Sequence, residues 1–456
     1  FLGSDGLAFN ADNYKDITFA GAESLNIALA GGADALTATN ATATKGVTGA
    51  SALPLTVFGG AGNDVIVGGA GVDSVYGGPG NDTLSGGAGA DFLYGDDGAD
   101  IMQGTAAADG NDTINCGDEA SNTSVDVVSY DRRTNAITAT MGTLVVGADG
   151  GGGADAGADG GVAIVYGTAG EGSESDQIAM NCEGVTGGAG NDTITGNEDN
   201  NTLSGGAGND TITGGDGDDT LNGGDGDDTF SEGSAENGGD VFNGGAGTDT
   251  VDYSSRTGDL TATMDGSAAN DGLDGEEDNI KADVENILCG SGADDITGNT
   301  LANKITGGTG ADTLSGGGGD DTFLEGSVTS GGDIFNGGAG TDTVDYSSRT
   351  GALTVTMGDD TANDGLASET DNVKDDVENL LGGSGNDTIT GNDADNLIEG
   401  GNGDDTIDGG DGDDRLDGSD TGVSVDNDIT CGAGTDLALN KGGAGSYASD
   451  CELKGN

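Results

Sequence analysis

The sequence predicts an all-β solenoid of short, stacked, parallel strands, with β excursions between its repeat arrays. Three observations predict it. Apolar residues are few, but they recur at one place in a nine-residue frame. Glycines and an Asp hold other fixed places in that frame. A longer block then recurs at a spacing of 93 residues, Glu232 to Glu325, without a gap. Fixed self-similarity at short period marks a solenoid. Composition alone points elsewhere: 97 Gly and a formal net charge of −71 in 456 residues are the usual signature of disorder. The order of the residues argues against that.

The N-terminal segment, residues 1–58, is rich in Ala and Thr and low in charge. It reads as strands that cap the solenoid or pair with a neighbouring subunit, because open sheet ends are edges that need cover. The chain opens on Phe1 and shows no signal peptide or transmembrane run, so a processed product or a fragment is expected.

The first array, 59–118, runs GGAGNDVIV, GGAGVDSVY, GGPGNDTLS, GGAGADFLY, GDDGADIMQ. Gly stands at places one and four. Asp64, Asp73, Asp82, Asp91 and Asp100 stand at place six, and Ile66, Val75, Leu84, Leu93 and Met102 at place eight. Glycines at places one, two and four let the backbone take positive φ and turn sharply. The triplet x-U-x that follows, with U apolar, is a short strand with U inward. Stacked coils pair as parallel strands with right-handed crossovers. Such turns expose carbonyls beside one Asp per turn, and hard cations prefer six to eight oxygens of these kinds.

The same frame returns at 187–252, 289–345 and 382–430. In each of these arrays the second block opens Gly-Asn and carries Asn at place six: Asn201, Asn303, Asn396. Those turns are either weaker ion sites or turns held by side-chain hydrogen bonds.

GGxGxDxUx resembles the nonapeptide of the RTX family, the haemolysin-type calcium-binding repeats, here in a tandem-module arrangement like that of a surface or filament member. The resemblance implies a parallel β-roll with two nonapeptides per coil and Ca²⁺ between the turns of successive coils. On those terms the metal ligands are the five Asp above and Asp112 in the first array. In the second they are Asp192, Asp210, Asp219, Asp228 and Asp249. In the third they are Asp294, Asp312, Asp321 and Asp342, and in the fourth Asp387, Asp405 and Asp414. One buried apolar side chain per nine residues leaves much of the backbone ordering cost unmet, so folding is expected to require the ion.

The excursions, 119–186, 253–288 and 346–381, depart from the frame. The first is enlarged by the stretch GADGGGGADAGADGG. LTATM (Leu260 to Met264) and LTVTM (Leu353 to Met357) alternate as exposed strands would. Asp271, Glu276 and Asp278, with their counterparts Asp364, Glu369 and Asp371, form either a further Ca²⁺ loop or a solvated acidic loop. Arg256 and Arg349 follow Tyr253 and Tyr346 at equal spacing and read as structural ion-pair partners. The C-terminal residues 431–456 read as a second cap.

Five cysteines are unusual for such a protein. Cys116 and Cys182 bracket the first excursion, and Cys431 and Cys451 bracket the C-terminal end. Disulfides at both places fit an extracellular chain. The spacing leaves the connectivity open. Cys289, at place one of its array, reads as a buried free thiol.

With no His, a Ser-His-Asp triad, an HExxH zinc site and a His base are impossible. Nearly all carboxylates fall on the frame or the shared loop, which leaves no isolated pair for glycosidase-type chemistry. The charge excludes nucleic acid. Aligned threonines at place seven would suit an ice-binding face, but their surroundings are acidic. The expected function is an extracellular or cell-surface Ca²⁺-binding structural protein: a surface layer, matrix fibre, filament or adhesin stalk, with no catalytic site and no membrane span. Its partners are Ca²⁺ and, head to tail, copies of itself. The alternative is the secretion and folding module of a larger toxin or secreted enzyme.

Overall fold

The computed structural model describes residues 25–29, 31–37, 54–106, 109–117, 125–145, 163–165, 167–169, 176–267, 269–419, 428–439, 446–447, 451 and 453–455. Most of 1–58 and the GADGGGGADAGADGG stretch lie outside them. All regular structure among the described residues is β, and no helix is long and apolar enough to cross a membrane. The chain divides into two compact units: Phe1–Thr229 with Gly245–Gly247, and Phe230–Gly244 with Thr248–Asn456.

In the first unit each x-U-x triplet is a three-residue strand. Successive triplets alternate between two parallel sheets. Val65–Val67 pairs with Thr83–Ser85, and Ser74–Tyr76 with Phe92–Tyr94. Ile66 therefore lies beside Leu84 and Val75 beside Leu93. Partners are 18 residues apart, so one coil is two nonapeptides, as the resemblance implies. Place-eight side chains such as Ile66, Val75, Leu84, Ile212 and Leu221 are wholly buried. Their neighbours at places seven and nine are more open, giving the strands their exposed–buried–intermediate pattern. The stacking starts before Gly59: Leu25–Ala28 pairs in parallel with Leu55–Phe58, and Ala35–Thr37 with Val65–Val67.

The second unit repeats the plan. One parallel sheet runs from Thr250–Asp252 through Asn286–Leu288, Lys304–Thr306, Thr322–Leu324, Thr343–Asp345, Asn379–Leu381, Leu397–Glu399 and Arg415–Asp417 to Leu437–Leu439. Opposite it stand two shorter sheets, each begun by an excursion strand: Leu260–Thr263 against Asp295–Thr297, and Leu353–Thr356 against Thr388–Thr390. The 93-residue repeat is kept in space. Phe230, Phe242 and Tyr253 pack at ring separations of 5.7 and 6.3 Å, and Phe323, Phe335 and Tyr346 at the same two distances.

Two expectations are corrected. The excursion strands are not exposed ribbons. Leu260, Ala262 and Met264, and likewise Leu353, Val355 and Met357, are buried, because each strand stacks on the next coil in register and turns alternate side chains into the core. The glycines also differ in role. Positive φ falls at places two and four, as at Gly60 and Gly62 or Gly206 and Gly208, but not at place one. Where Asp96 replaces the place-two Gly, it adopts φ 70°, a conformation Asp tolerates better than most residues.

Cys116–Cys182 and Cys431–Cys451 are disulfides with S–S distances of 2.04 and 1.97 Å. Cys289 is a buried free thiol.

Candidate metal centres in the turns

Each frame Asp stands where a turn enters a strand, and its carboxylate is tied to the neighbouring coil. Oδ1 of Asp82 accepts the backbone N–H of Asp64, and Oδ1 of Asp100 that of Asp82, both at 2.7 Å. On the other sheet Asp91 accepts from Asp73 at 2.7 Å and Asp112 from Asp91 at 2.9 Å. The ladder continues through Asp210, Asp219 and Asp228. Within the second unit the same bonds are made by Asp312, Asp321, Asp342, Asp405 and Asp414. Asp249 is buried in the same position and donates its N–H to Glu285.

The second carboxylate oxygen is the informative one. Oδ2 is buried and accepts no hydrogen bond in Asp64, Asp82, Asp91, Asp210, Asp294, Asp312, Asp321, Asp342, Asp414 and Asp436. A buried, unsatisfied carboxylate oxygen is costly, and here the same atom is orphaned in register along the stack. Asp73, Asp192 and Asp387 instead turn Oδ2 onto the backbone N–H of Gly69, Gly188 and Gly383.

A side chain at place one crowds both this oxygen and the carbonyl of the next coil, and at Gly59 and Gly68 the carbonyls of Gly77 and Gly86 are the nearer. A Cβ on Gly59 would lie 2.5 Å from Asp64 Oδ2, and one on Gly68 2.7 Å from Asp73 Oδ2. The turns themselves stack with little room. A Cβ on Gly78 would strike the carbonyl oxygen of Gly60, and one on Gly80 that of Gly62.

Burial raises the carboxyl pKa values, and neighbouring carboxylates add to the rise. Asp82 and Asp91 are pushed up to about 6, Asp210 and Asp312 to about 7, and Asp112 to about 8. Each rise marks a fold that disfavours the charged carboxylate.

The ladder is longer than the nonapeptide frame foretold. Asp34, Asp126, Asp240, Asp333 and Asp436 belong to it, and Glu183, Glu285 and Glu378 take the Asp role where excursions rejoin the roll. The available signal was an acid immediately before a short apolar-centred triplet. It was hidden because the preceding turns are longer or lack the glycines. Ile137, Leu260 and Leu353 occupy the same position as uncharged residues, donating N–H to Asp192, Asp294 and Asp387 at 2.8 Å.

The Gly-Asn turns are held by side-chain hydrogen bonds. Asn201 Oδ1 accepts the N–H of Asn197, and Asn197 Nδ2 reaches the carbonyl of Gly142 at 2.9 Å. Asn299 and Asn392 make the matching contacts to Val284 and Val377 at 2.7 and 2.8 Å.

The acidic loops also have protein donors. Asp271 accepts from the backbone N–H of Thr263 and Ile280, and Asp364 from that of Thr356 and Val373. Asp278 and Asp371 each take a ladder N–H on Oδ1 and a tyrosine hydroxyl on Oδ2, from Tyr253 at 2.7 Å and Tyr346 at 3.0 Å. Glu276 and Glu369 pair with Arg256 and Arg349 at 2.9 Å. The arginines are thus structural ion-pair partners, and the six loop acids offer a cation less than the roll turns do.

Among the described residues no three carboxylate or thiol side chains converge on one point. The roll offers one carboxylate per turn, a buried spare oxygen and closely stacked turn carbonyls. That all-oxygen donor set suits a hard cation such as Ca²⁺ and not a thiolate- or imidazole-seeking metal.

Comparison with known proteins agrees. A family model described as the RTX calcium-binding nonapeptide repeat (4 copies) matches residues 56–84, 76–118, 185–212, 195–230, 234–255, 290–323, 327–348 and 390–420. No curated protein matches the chain.

Proposed function

We propose that this chain, whose repeats match the RTX calcium-binding nonapeptide, is an extracellular structural element: a surface layer, matrix fibre, filament or adhesin stalk whose rolls are held in shape by Ca²⁺ bound at the nonapeptide turns. The observation that carries this reading is the buried Oδ2 atom without a hydrogen-bond donor, which recurs at the same ladder position in Asp64, Asp82, Asp91, Asp210, Asp294, Asp312, Asp321, Asp342 and Asp414. These are the residues that would hold the ions, with the turn carbonyls beside them. Bound Ca²⁺ supplies positive charge and oxygen coordination between coils. The protein's own part is to hold each carboxylate at a fixed height through its Oδ1 hydrogen bond, and to keep place one small, mostly Gly, beside it.

Several features support a structural role over catalysis. The carboxylates are committed to the ladder, and His is absent. The module is repeated, which suits extension along an axis. Two disulfides suit an oxidising, extracellular setting. Head-to-tail self-association is part of the proposal, since the bound ions would offset much of the −71 charge.

Circular dichroism tests the ion requirement. With excess chelator at neutral pH the β signal should fall, and millimolar Ca²⁺ should restore it. A chelated protein that keeps its full β signal overturns the reading. Light scattering at matched Ca²⁺ tests assembly: a chain that stays monomeric at high concentration removes the filament and leaves the Ca²⁺-held roll.

A further inference from the structure

The junctions between arrays repeat one arrangement that the nonapeptide frame does not explain. Before strands Thr113–Asn115, Val241–Ala246 and Ile334–Ala339 the segment between strands is longer than in the frame; its described residues are 104–106 and 109–112, 232–240 and 325–333. Into each of these segments reaches the Arg of a following Tyr-x-x-Arg: Arg133, Arg256 or Arg349, each essentially fully buried. Arg256 donates from Nη2 to Glu232 at 2.9 Å and to the Asn237 side-chain oxygen at 2.6 Å. From Nη1 it reaches Glu276 at 2.9 Å and the carbonyl of Ala235. Arg349 meets Glu325, Glu369, Ser330 and the Val328 carbonyl in the same way. Arg133 pairs with Asp109 at 2.7 Å.

Two carboxylates, a backbone carbonyl and an amide oxygen around one buried positive charge are the donor types that a hard cation takes. Here the charge is covalently part of the chain. The same substitution occurs twice more at each junction. The ladder Asp whose Oδ2 would otherwise want a cation receives a tyrosine hydroxyl: Tyr130 to Asp176 at 2.8 Å, and Tyr253 to Asp278 at 2.7 Å. In the following Gly-Asn turn the place-six Asn has a donor where Asp has a bare oxygen: Nδ2 of Asn201 donates to Asn197 Oδ1 at 3.2 Å, and those of Asn303 and Asn396 to the carbonyls of Glu285 and Glu378 at 3.0 and 2.9 Å. Guanidinium, phenol and amide N–H or O–H groups thus stand where the arrays offer bare oxygens.

We propose that each junction is a cation cage filled by its own arginine, so that the junctions stay folded when Ca²⁺ is withdrawn and the arrays between them melt. The chain then responds to Ca²⁺ segment by segment, with fixed knots that hold the strand register for refolding. This goes beyond the proposed structural role, which concerns only the arrays.

Hydrogen exchange on the full-length protein, with Ca²⁺ and with excess chelator, tests it. In chelator, amides of the array turns 205–228 should lose protection, while those of 253–258 and 271–280 keep protection at least about 100-fold above the array turns. In R256M the 253–280 amides should exchange like the arrays in chelator, while the matching Arg349 junction of the same molecule stays protected. Junction amides that open with the arrays in the native protein overturn the proposal, and this arm decides even if R256M does not fold. R256M amides that remain protected in chelator overturn it too. Arrays that ignore the chelator would instead sink the Ca²⁺-held roll, which keeps the two failures distinct.

Discussion

Replacing Asp312 by Asn separates the two jobs of a ladder carboxylate. Oδ1 of Asp312 accepts the N–H of Asp294 at 2.9 Å, and an Asn oxygen can keep that bond. Oδ2 is buried without a donor, and an amide nitrogen there cannot ligate a cation. In Ca²⁺ the variant should lose about 1.5–3 kcal/mol, the range for an interaction with a charged group. Without Ca²⁺ the sign should reverse. Burial, with repulsion from Asp333 and Asp294, pushes this carboxyl to about 7, so at pH 7.5 the native fold carries a charge it disfavours. Removing that charge, discounted for solvent screening in the turn, should stabilise the Ca²⁺-free roll by about 1–2 kcal/mol. The assay is urea unfolding followed by circular dichroism, with Ca²⁺ and with chelator, beside Asp312→Ala, which removes both oxygens and should destabilise in both. If Asn destabilises equally in the two conditions, the carboxylate serves only its hydrogen bond, and the metal assignment is wrong.

Two further outcomes follow from the same geometry. Gly205→Ala places a Cβ 2.6 Å from Asp210 Cγ and should lower the apparent Ca²⁺ affinity and the unfolding midpoint, whereas Gly233→Ala, with nothing within 4 Å, should change neither; equal effects in a Ca²⁺ titration would refute the role given to place one. Acid should stand in part for Ca²⁺. The folded-state pKa values of Asp82, Asp91, Asp210 and Asp312 lie above the ordinary 3.8, so in chelator their contribution is fully present below about pH 4 and is lost as pH rises through 6 to 7; a chelated protein less stable at pH 4.5 than at pH 7.5 would contradict this.

The sequence by itself determined the coil. A residue's neighbours along the roll are its own counterparts 18 positions away, so a nine-residue period states both the strand and its partner, as in Ile66 beside Leu84. The place-six Asp and place-eight apolar residue were legible for the same reason: their environment repeats with the letters. The tertiary structure decided what does not repeat. Whether a carboxylate has a donor depends on what folds back onto it. Asp278 and Asp64 hold equivalent ladder positions, yet Tyr253 satisfies one Oδ2 and nothing donates to the other. Arg256 finds Glu232 24 residues back, through a turn whose length hides it from the frame. Place-one Gly looks in sequence like a further turn glycine, and only the folded coil shows that it is small to leave room for the Asp carboxylate and the carbonyl of the next turn. Periodic contacts are local in the repeat and can be read from the letters, whereas contacts made where the chain leaves and rejoins the roll are long-range and exist only once it has folded.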